Sequence, residues 1–194
     1  GTVTSQSTDG SGADICETDS SYGMPYVYVS GNNGASAYAD ETGYFDLDNS
    51  GTVVEVTSGF TGRWFEVNND QGSEAIFSTL IADGGSGEVH NSNTSEFVLA
   101  QSDAYLQSNI VRDFVLYYSP SYPIIGTQQG FPVNVNLSSS CNAYYDYSSI
   151  NFYNEAGGCS NTAFSVVVHH EYGHHLVDCA GSGQGAYGEG MGDV

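Results

Sequence analysis

The sequence contains no lysine, and its only permanently cationic side chains are those of Arg63 and Arg112. They are opposed by 23 aspartate and glutamate residues, which gives the 194-residue chain a formal net charge of −21. A surface with this charge repels phosphate backbones and anionic lipid head groups. The composition therefore argues against nucleic acids and membrane surfaces as partners.

Long apolar runs are also missing from the sequence. The longest are comparable to Val166-Val167-Val168, whereas a membrane-spanning helix requires roughly 20 apolar residues. We therefore expect no transmembrane segment. Apolar residues still make up 39% of the chain, including 15 tyrosines and 9 phenylalanines. This content favours a folded, β-rich protein over a disordered one.

Several features are typical of secreted proteins. Asn93 and Asn136 each begin an Asn-X-Ser/Thr acceptor sequence for N-glycosylation. The four cysteines are even in number and form no compact CxxC metal pattern, which favours an oxidising compartment outside the cytoplasm. The chain opens with Gly1 and not with methionine, so we expect a processed product that is secreted.

The four cysteines allow three disulfide pairings. We favour a bond between Cys141 and Cys159, which encloses 17 residues, and a second bond between Cys16 and Cys179. A crosslink across a loop of this size stabilises a fold mainly by restricting the unfolded chain. Buried free thiols are the alternative.

The first half of the chain predicts β structure. Residues 1–22 are rich in Ser, Gly, Thr and Asp, so we expect an N-terminal arm that is flexible or held by a disulfide. Short aromatic and β-branched runs within residues 23–82 predict a small antiparallel, β-sandwich-like module. Residues 83–95 have the Gly, Ser and Asn content of a linker. The predicted strands of the module cover residues 26–29, 43–47, 52–56 and 63–67.

The second half, residues 96–194, combines helices with strands. Apolar residues at near-helical spacing end before Pro120 and predict one long helix over 96–118. Two strands follow, and a second helix begins at Asn161 or Thr162 and ends near residue 178. A short third helix begins between residues 185 and 188. The whole chain is therefore predicted to have an α+β fold.

One loop resembles half of a calcium site. Asp46 to Gly51 places oxygen ligands and a glycine as the first half of an EF-hand loop does. Position twelve of that loop is Thr57, where an EF-hand requires a bidentate glutamate. We therefore favour a β-turn with solvated acids, and calcium binding is the alternative.

The strongest functional signal is the HExxH motif, His170-Glu171-Tyr172-Gly173-His174. A separation of four residues places both imidazoles on one face of a helix, where they can share a zinc ion. Glu171 lies beside that face and can accept a proton from a water molecule that the metal activates. The alternative interpretation is a chance pentapeptide on a surface helix.

Two acidic residues downstream make it less plausible that the HExxH motif occurs by chance. Glu189 follows His174 after 14 intervening residues, and Asp193 comes four residues later. Glu189 can be the third metal ligand, and Asp193 can accept the second N–H of a liganding histidine. Alternatively, both acids only stabilise the start of a helix. Asp178 is a less favoured candidate for the third ligand.

These residues carry a family resemblance. An HExxH motif followed by ExxxD on the next helix is the pattern of the gluzincin metallopeptidases, in particular the thermolysin-like and fungalysin-like groups. His170, Glu171, His174, Glu189 and Asp193 match that pattern position by position. The resemblance implies a zinc-dependent endopeptidase with peptide or protein substrates and Glu171 as general base.

The resemblance extends upstream of the motif. Residues 141–146, Cys-Asn-Ala-Tyr-Tyr-Asp, resemble the Asn-Ala-aromatic segment that forms the substrate-binding edge strand of these enzymes. It implies that Asn142 and Ala143 contact the substrate backbone. It also implies a zincin-type half-domain over residues 96–194, with a long helix, a sheet, the HExxH helix and a short helix that carries Glu189.

Two features of the sequence depart from the family pattern. The interval between His174 and Glu189 is shorter than in thermolysin itself. The chain also ends at Val194, before the helical C-terminal lobe whose histidine or tyrosine stabilises the oxyanion in these enzymes. We therefore expect either a fragment of a longer enzyme or impaired catalysis. The alternative function is an extracellular structural protein that self-assembles into filaments and retains an impaired peptidase half-fold.

The remaining histidines and tyrosines of this region are expected to have structural roles. His169 and His175 flank the motif without forming a second HExxH frame, so we expect them to face solvent or hydrogen-bond with neighbours. Tyr144, Tyr145 and Tyr147 are expected mainly to pack and to donate hydrogen bonds, although one of them could line a cleft.

Overall fold

The computed structural model describes residues 1–8, 19–48, 51–183, 185 and 188–193. Within these residues the fold is mixed α+β, with much sheet and few helices. The strands are β1 Thr2–Ser7, β2 Ser20–Gly23, β3 Val27–Gly31, β4 Ser36–Tyr38, β5 Val54–Gly62, β6 Phe65–Asn69, β7 Ile76–Ile81, β8 Glu88–Asn91, β9 Phe131–Leu137, β10 Ala143–Tyr145 and β11 Ile150–Tyr153. The helices are α1 Glu96–Tyr118, α2 Ser165–Cys179 and α3 Gly188–Gly192.

The larger sheet has eight strands and runs through both halves of the chain. Its order is β10-β11-β9-β6-β5-β3-β4, and β7 pairs with β5 beside this path. The central strands β6, β9 and β11 are parallel, with Val67 opposite Val133 and Ile150 also opposite Val133. The last strand, β10, is antiparallel to β11. It therefore lies at one end of the sheet with a single strand neighbour.

The smaller sheet uses the start of the chain and the predicted linker. Its order is β2-β1-β8, and β1 pairs in parallel with β8, so that Val3 lies opposite Val89. Residues 2–7 alternate between half-buried and buried positions, as expected for a strand with one face on the core. The described part of residues 1–22 is thus largely strand and not a flexible arm, while the alternative of an arm held by a disulfide involves Cys16, which lies outside the described residues.

The two halves of the chain share one core. Strand β6 of the first half pairs directly with β9 of the second half, and one hydrophobic cluster contains buried residues from both, such as Val27, Phe65 and Phe152. The structure therefore does not divide at residues 83–95, where the sequence predicts a linker. The predicted strand at 43–47 is also missing, because only Tyr44 forms an isolated bridge there, to Thr2.

The helices position the residues of interest. The helix predicted over 96–118 is present as α1, and it contacts β1, β5, β6 and β9. Helix α2 lies beside α1 and contacts β10 and β11, while α3 packs on α2. The HExxH motif consequently lies between the end of the large sheet and the last short helix. None of the described helices is both long enough and apolar enough to cross a membrane.

One of the two expected disulfides is present. Cys141 and Cys159 are bonded, which confirms the favoured pairing. Cys179, in contrast, is a free and buried thiol whose sulfur lies 3.4 Å from Nε2 of His175. This contradicts the expected pairing of Cys179 with Cys16, and Cys16 itself lies outside the described residues.

Candidate metal centre

Three side chains from two helices converge on one point. Helix α2 carries His170 and His174 one turn apart, and α3 carries Glu189 against them. The Nε2 atoms of the two histidines are 3.1 Å apart. Oε2 of Glu189 lies 3.2 Å from Nε2 of His170 and 3.7 Å from Nε2 of His174. Among the described residues, this is the one group of three with the donors and spacing to hold a metal ion.

The geometry of these three atoms fits zinc. Two ligand atoms that are each 2.0–2.1 Å from a tetrahedral zinc ion lie about 3.3 Å apart. The observed separations of 3.1, 3.2 and 3.7 Å bracket this value. The donor set of two imidazole nitrogens and one carboxylate oxygen is also the one that catalytic zinc sites use. Three such acceptor atoms would repel one another without a proton or a cation between them.

Asp193 fixes the orientation of one of the imidazoles. Its Oδ1 lies 2.7 Å from Nδ1 of His170, on the side of the ring opposite Glu189. An N–H on Nδ1 then leaves the lone pair of Nε2 directed at the shared point. Burial lowers the pKa of His170, but the hydrogen bond to Asp193 and the neighbouring carboxylates outweigh it, so the pKa is raised overall.

The glycine inside the motif allows α3 to approach α2 closely. A Cβ atom on Gly173 would lie 2.5 Å from the carbonyl oxygen of Gly192 and 2.9 Å from its Cα. Both distances are far below van der Waals contact, and both neighbouring atoms belong to the backbone. Any larger residue at position 173 would push α3 away and would separate Glu189 and Asp193 from the histidines.

Glu171 lies between the convergent ligand atoms and the end of the large sheet. Its side chain is buried, with 6% of the residue exposed. Burial raises the pKa of Glu171, while His170, His174 and the nearby backbone N–H of Tyr145 oppose that shift. A carboxylate with a raised pKa is better suited to accept a proton and release it again near neutral pH.

A cavity of about 360 Å³ joins the motif to strand β10. Glu171 and the three convergent residues form one of its walls. The predicted substrate-binding residues Asn142 and Ala143 also line it, and Ala143 is the first residue of β10. The remaining lining residues are Tyr144, Tyr145 and Tyr147. The candidate catalytic, metal-binding and substrate-binding residues thus line one cavity, and Asp193 lies behind His170, which is one of them.

Residues next to the motif have roles that the sequence did not specify. His175 is buried, with 4% exposure, so the solvent-facing alternative is wrong for this residue. Its Nδ1 lies 3.1 Å from the hydroxyl of Tyr145, which also donates a hydrogen bond to Oδ2 of Asp178. Asp178 is therefore engaged away from the convergent ligand atoms. Nε2 of His169 lies 3.0 Å from Oε1 of Gln107 on α1.

The calcium alternative stays a prediction. Asp46 and Asp48 line a separate cavity of about 380 Å³ together with Asp83. Asn49 and Ser50, which belong to the predicted loop, lie outside the described residues.

Comparison with models of known protein families gives no match, and neither does comparison with curated proteins. The inferences below therefore depend on the geometry of this chain.

Proposed function

We propose that this protein is a secreted, zinc-dependent endopeptidase, with a zincin-type half-domain in the second half of its chain. The observation that carries the proposal is the convergence of His170, His174 and Glu189 at zinc spacing beside a buried carboxylate. The disulfide between Cys141 and Cys159 supports an oxidising, extracellular location.

The residues of the cavity would divide the work of peptide hydrolysis. A zinc ion held by the three ligands would polarise the scissile carbonyl group and acidify a water molecule. Glu171 would accept the proton of that water as it attacks and would then deliver it to the amine that leaves. Asp193 would hold His170 as a neutral ligand with Nε2 free for the metal.

The edge strand provides a way to bind the substrate. β10 has one strand neighbour, β11, and its other side borders the cavity. A substrate in extended conformation can pair with such an edge through main-chain hydrogen bonds. This pairing would present the scissile bond to Glu171 and would give Asn142 and Ala143, which line the same cavity as the motif, a role in substrate binding.

The alternative, a self-assembling extracellular structural protein, has one observation in its favour. Phe114, Tyr117 and Tyr118 on α1 are 60%, 80% and 73% exposed. Exposed aromatic side chains that lie together mark a surface suited to association. This alternative requires no metal, so the zinc content distinguishes it from the peptidase.

The test combines metal content with hydrolysis. Elemental mass spectrometry of native protein that was never exposed to chelator should give one zinc per chain, and peptide hydrolysis should be lost on chelation. Glu171→Gln should keep the zinc and lower kcat by roughly 10²–10⁴-fold, which is the usual contribution of a general base. Glu41→Gln, an exposed glutamate of the first half, is the matched control and should behave as wild type. Substoichiometric zinc, or full activity of Glu171→Gln, would refute the proposal.

A further inference from the structure

The side chain of Tyr145 connects the edge strand to the motif helix. Tyr145 is the last residue of β10, and its hydroxyl lies 3.0 Å from Oδ2 of Asp178 and 3.1 Å from Nδ1 of His175. Both partners belong to α2, the helix that carries His170 and His174. A single hydroxyl thus links strand β10 to helix α2, both of which supply residues that line the cavity.

The partners of this hydroxyl are themselves fixed in place. The His175 ring stacks on Phe131 of β9 with centroids 4.2 Å apart, and its Nε2 lies 2.8 Å from Oε1 of Gln128. The Tyr145 hydroxyl donates its one proton to Oδ2 of Asp178 and its oxygen lies beside Nδ1 of the stacked His175 ring, so both residues hold it against α2.

Strand β10 is held near its start by the Cys141–Cys159 disulfide and by the hydroxyl of Thr162, which donates to the carbonyl oxygen of Asn142 at 3.1 Å. It is three residues long, and of these only Ala143 is buried. It pairs with β11 on one side only. A short strand at the end of a sheet opens readily unless it has other contacts. The hydrogen bonds of Tyr145 are such contacts, and its backbone N–H lies next to the Glu171 carboxylate.

We propose that Tyr145 is a positioning residue whose hydroxyl, held by Asp178 and His175, sets the distance between the edge strand and the motif helix. This inference rests on the proposed peptidase function, because the distance matters for catalysis only if a substrate lies on β10. In that case Tyr145 aligns the bound peptide with Glu171, and misalignment by a fraction of an ångström is costly in such sites.

The first test measures the strand and not the reaction. Tyr145→Phe removes only the hydroxyl, and hydrogen exchange followed by mass spectrometry reports the protection of the amides of residues 143–145. Hydrogen bonds to charged groups are worth enough that we expect exchange about tenfold faster. The matched control is Tyr122→Phe, because Tyr122 donates a hydrogen bond to the carbonyl of Leu176 on the same helix, at 2.8 Å, but does not touch β10. It should leave these amides unchanged.

The second test separates positioning from general stability. With a peptide substrate, Tyr145→Phe should lower kcat about tenfold with a smaller change in KM, since misalignment affects the transition state more than binding. Asp178→Asn keeps an acceptor and should retain most of the activity, whereas Asp178→Ala should resemble Tyr145→Phe. Tyr122→Phe should lower Tm without a change in kcat.

The outcomes of the two tests are distinguishable. Unchanged exchange in Tyr145→Phe would overturn the positioning role, whatever the activity. An equal fall in kcat for Tyr145→Phe and Tyr122→Phe would also overturn it, because the effect would then be one of stability. Absence of hydrolysis by the wild-type protein would refute the peptidase function, while faster exchange in Tyr145→Phe would still support the link between β10 and α2.

Discussion

The hydrogen bond between His170 and Asp193 should control how tightly the site holds zinc. It is short, at 2.7 Å, and joins an imidazole N–H to a carboxylate, a combination stronger than a bond between neutral groups. Asp193→Asn preserves the size of the side chain and can still accept this N–H, but it removes the charge. Asp193→Ala removes both the charge and the hydrogen-bond acceptor.

The expected magnitude follows from the exposure of the carboxylate. Loss of such a partner typically weakens metal binding 10–100-fold. The Asp193 side chain is 69% exposed, so solvent screens its charge. The effect of Asp193→Asn, which removes only the charge, should therefore lie at the low end of this range. We expect the Kd for zinc to rise about tenfold in Asp193→Asn and closer to a hundredfold in Asp193→Ala.

A competition titration against a chromophoric zinc chelator measures this directly, and it is run at pH 8 because metal ligands must be deprotonated to bind. Asp70→Asn is the control, since Asp70 is an exposed aspartate outside the site and its replacement changes the net charge equally. If Asp193→Asn binds zinc within a factor of two of wild type, or if Asp70→Asn is weakened as much, the role assigned to Asp193 is wrong.

Two further predictions concern stability. Burial raises the pKa of Asp103 to about 6 despite hydrogen bonds from Ser7 and Thr8, so the folded state favours the protonated acid. The free energy of unfolding should therefore fall as pH rises from about 4 through 6, by at most about 3 kcal/mol. In Asp103→Asn, urea unfolding should not show this fall. If the free energies of unfolding of wild type and variant change with pH in the same way, the prediction is wrong. Replacing Cys141 and Cys159 with serine should lower the free energy of unfolding by about 3 kcal/mol for a loop of this size. An unchanged urea midpoint would argue against that value.

Local sequence patterns predicted the functional helices well. The four-residue spacing of His170 and His174 depends only on the helical period, and α1 follows from apolar spacing between a polar start and Pro120. The disulfide between Cys141 and Cys159 also closes a short loop. Such features need no knowledge of distant parts of the chain.

The errors concern contacts between residues far apart in the sequence. No local signal indicates that Val3 lies opposite Val89 or that Val67 lies opposite Val133. The sequence therefore predicts two modules and a linker, whereas strands of both predicted modules share the larger sheet and the predicted linker supplies a strand of the smaller one. The buried environment of His175 was missed for the same reason, because Phe131 and Gln128 come from elsewhere in the chain. Nothing in the consecutive tyrosines Tyr144 and Tyr145 indicates that the hydroxyl of Tyr145 contacts helix α2.

The parallel pairing of β6 with β9 has a consequence for how the chain acquires its structure. These strands are joined through β7, β8 and the whole of α1, and parallel neighbours separated by so much chain form late because a long loop must close first. A chain cut between residues 83 and 87 would leave β9 without β6 and β1 without β8. Neither piece could then satisfy its strand edges alone, so folding of the first half is a precondition for assembling the convergent histidines and glutamate of the second.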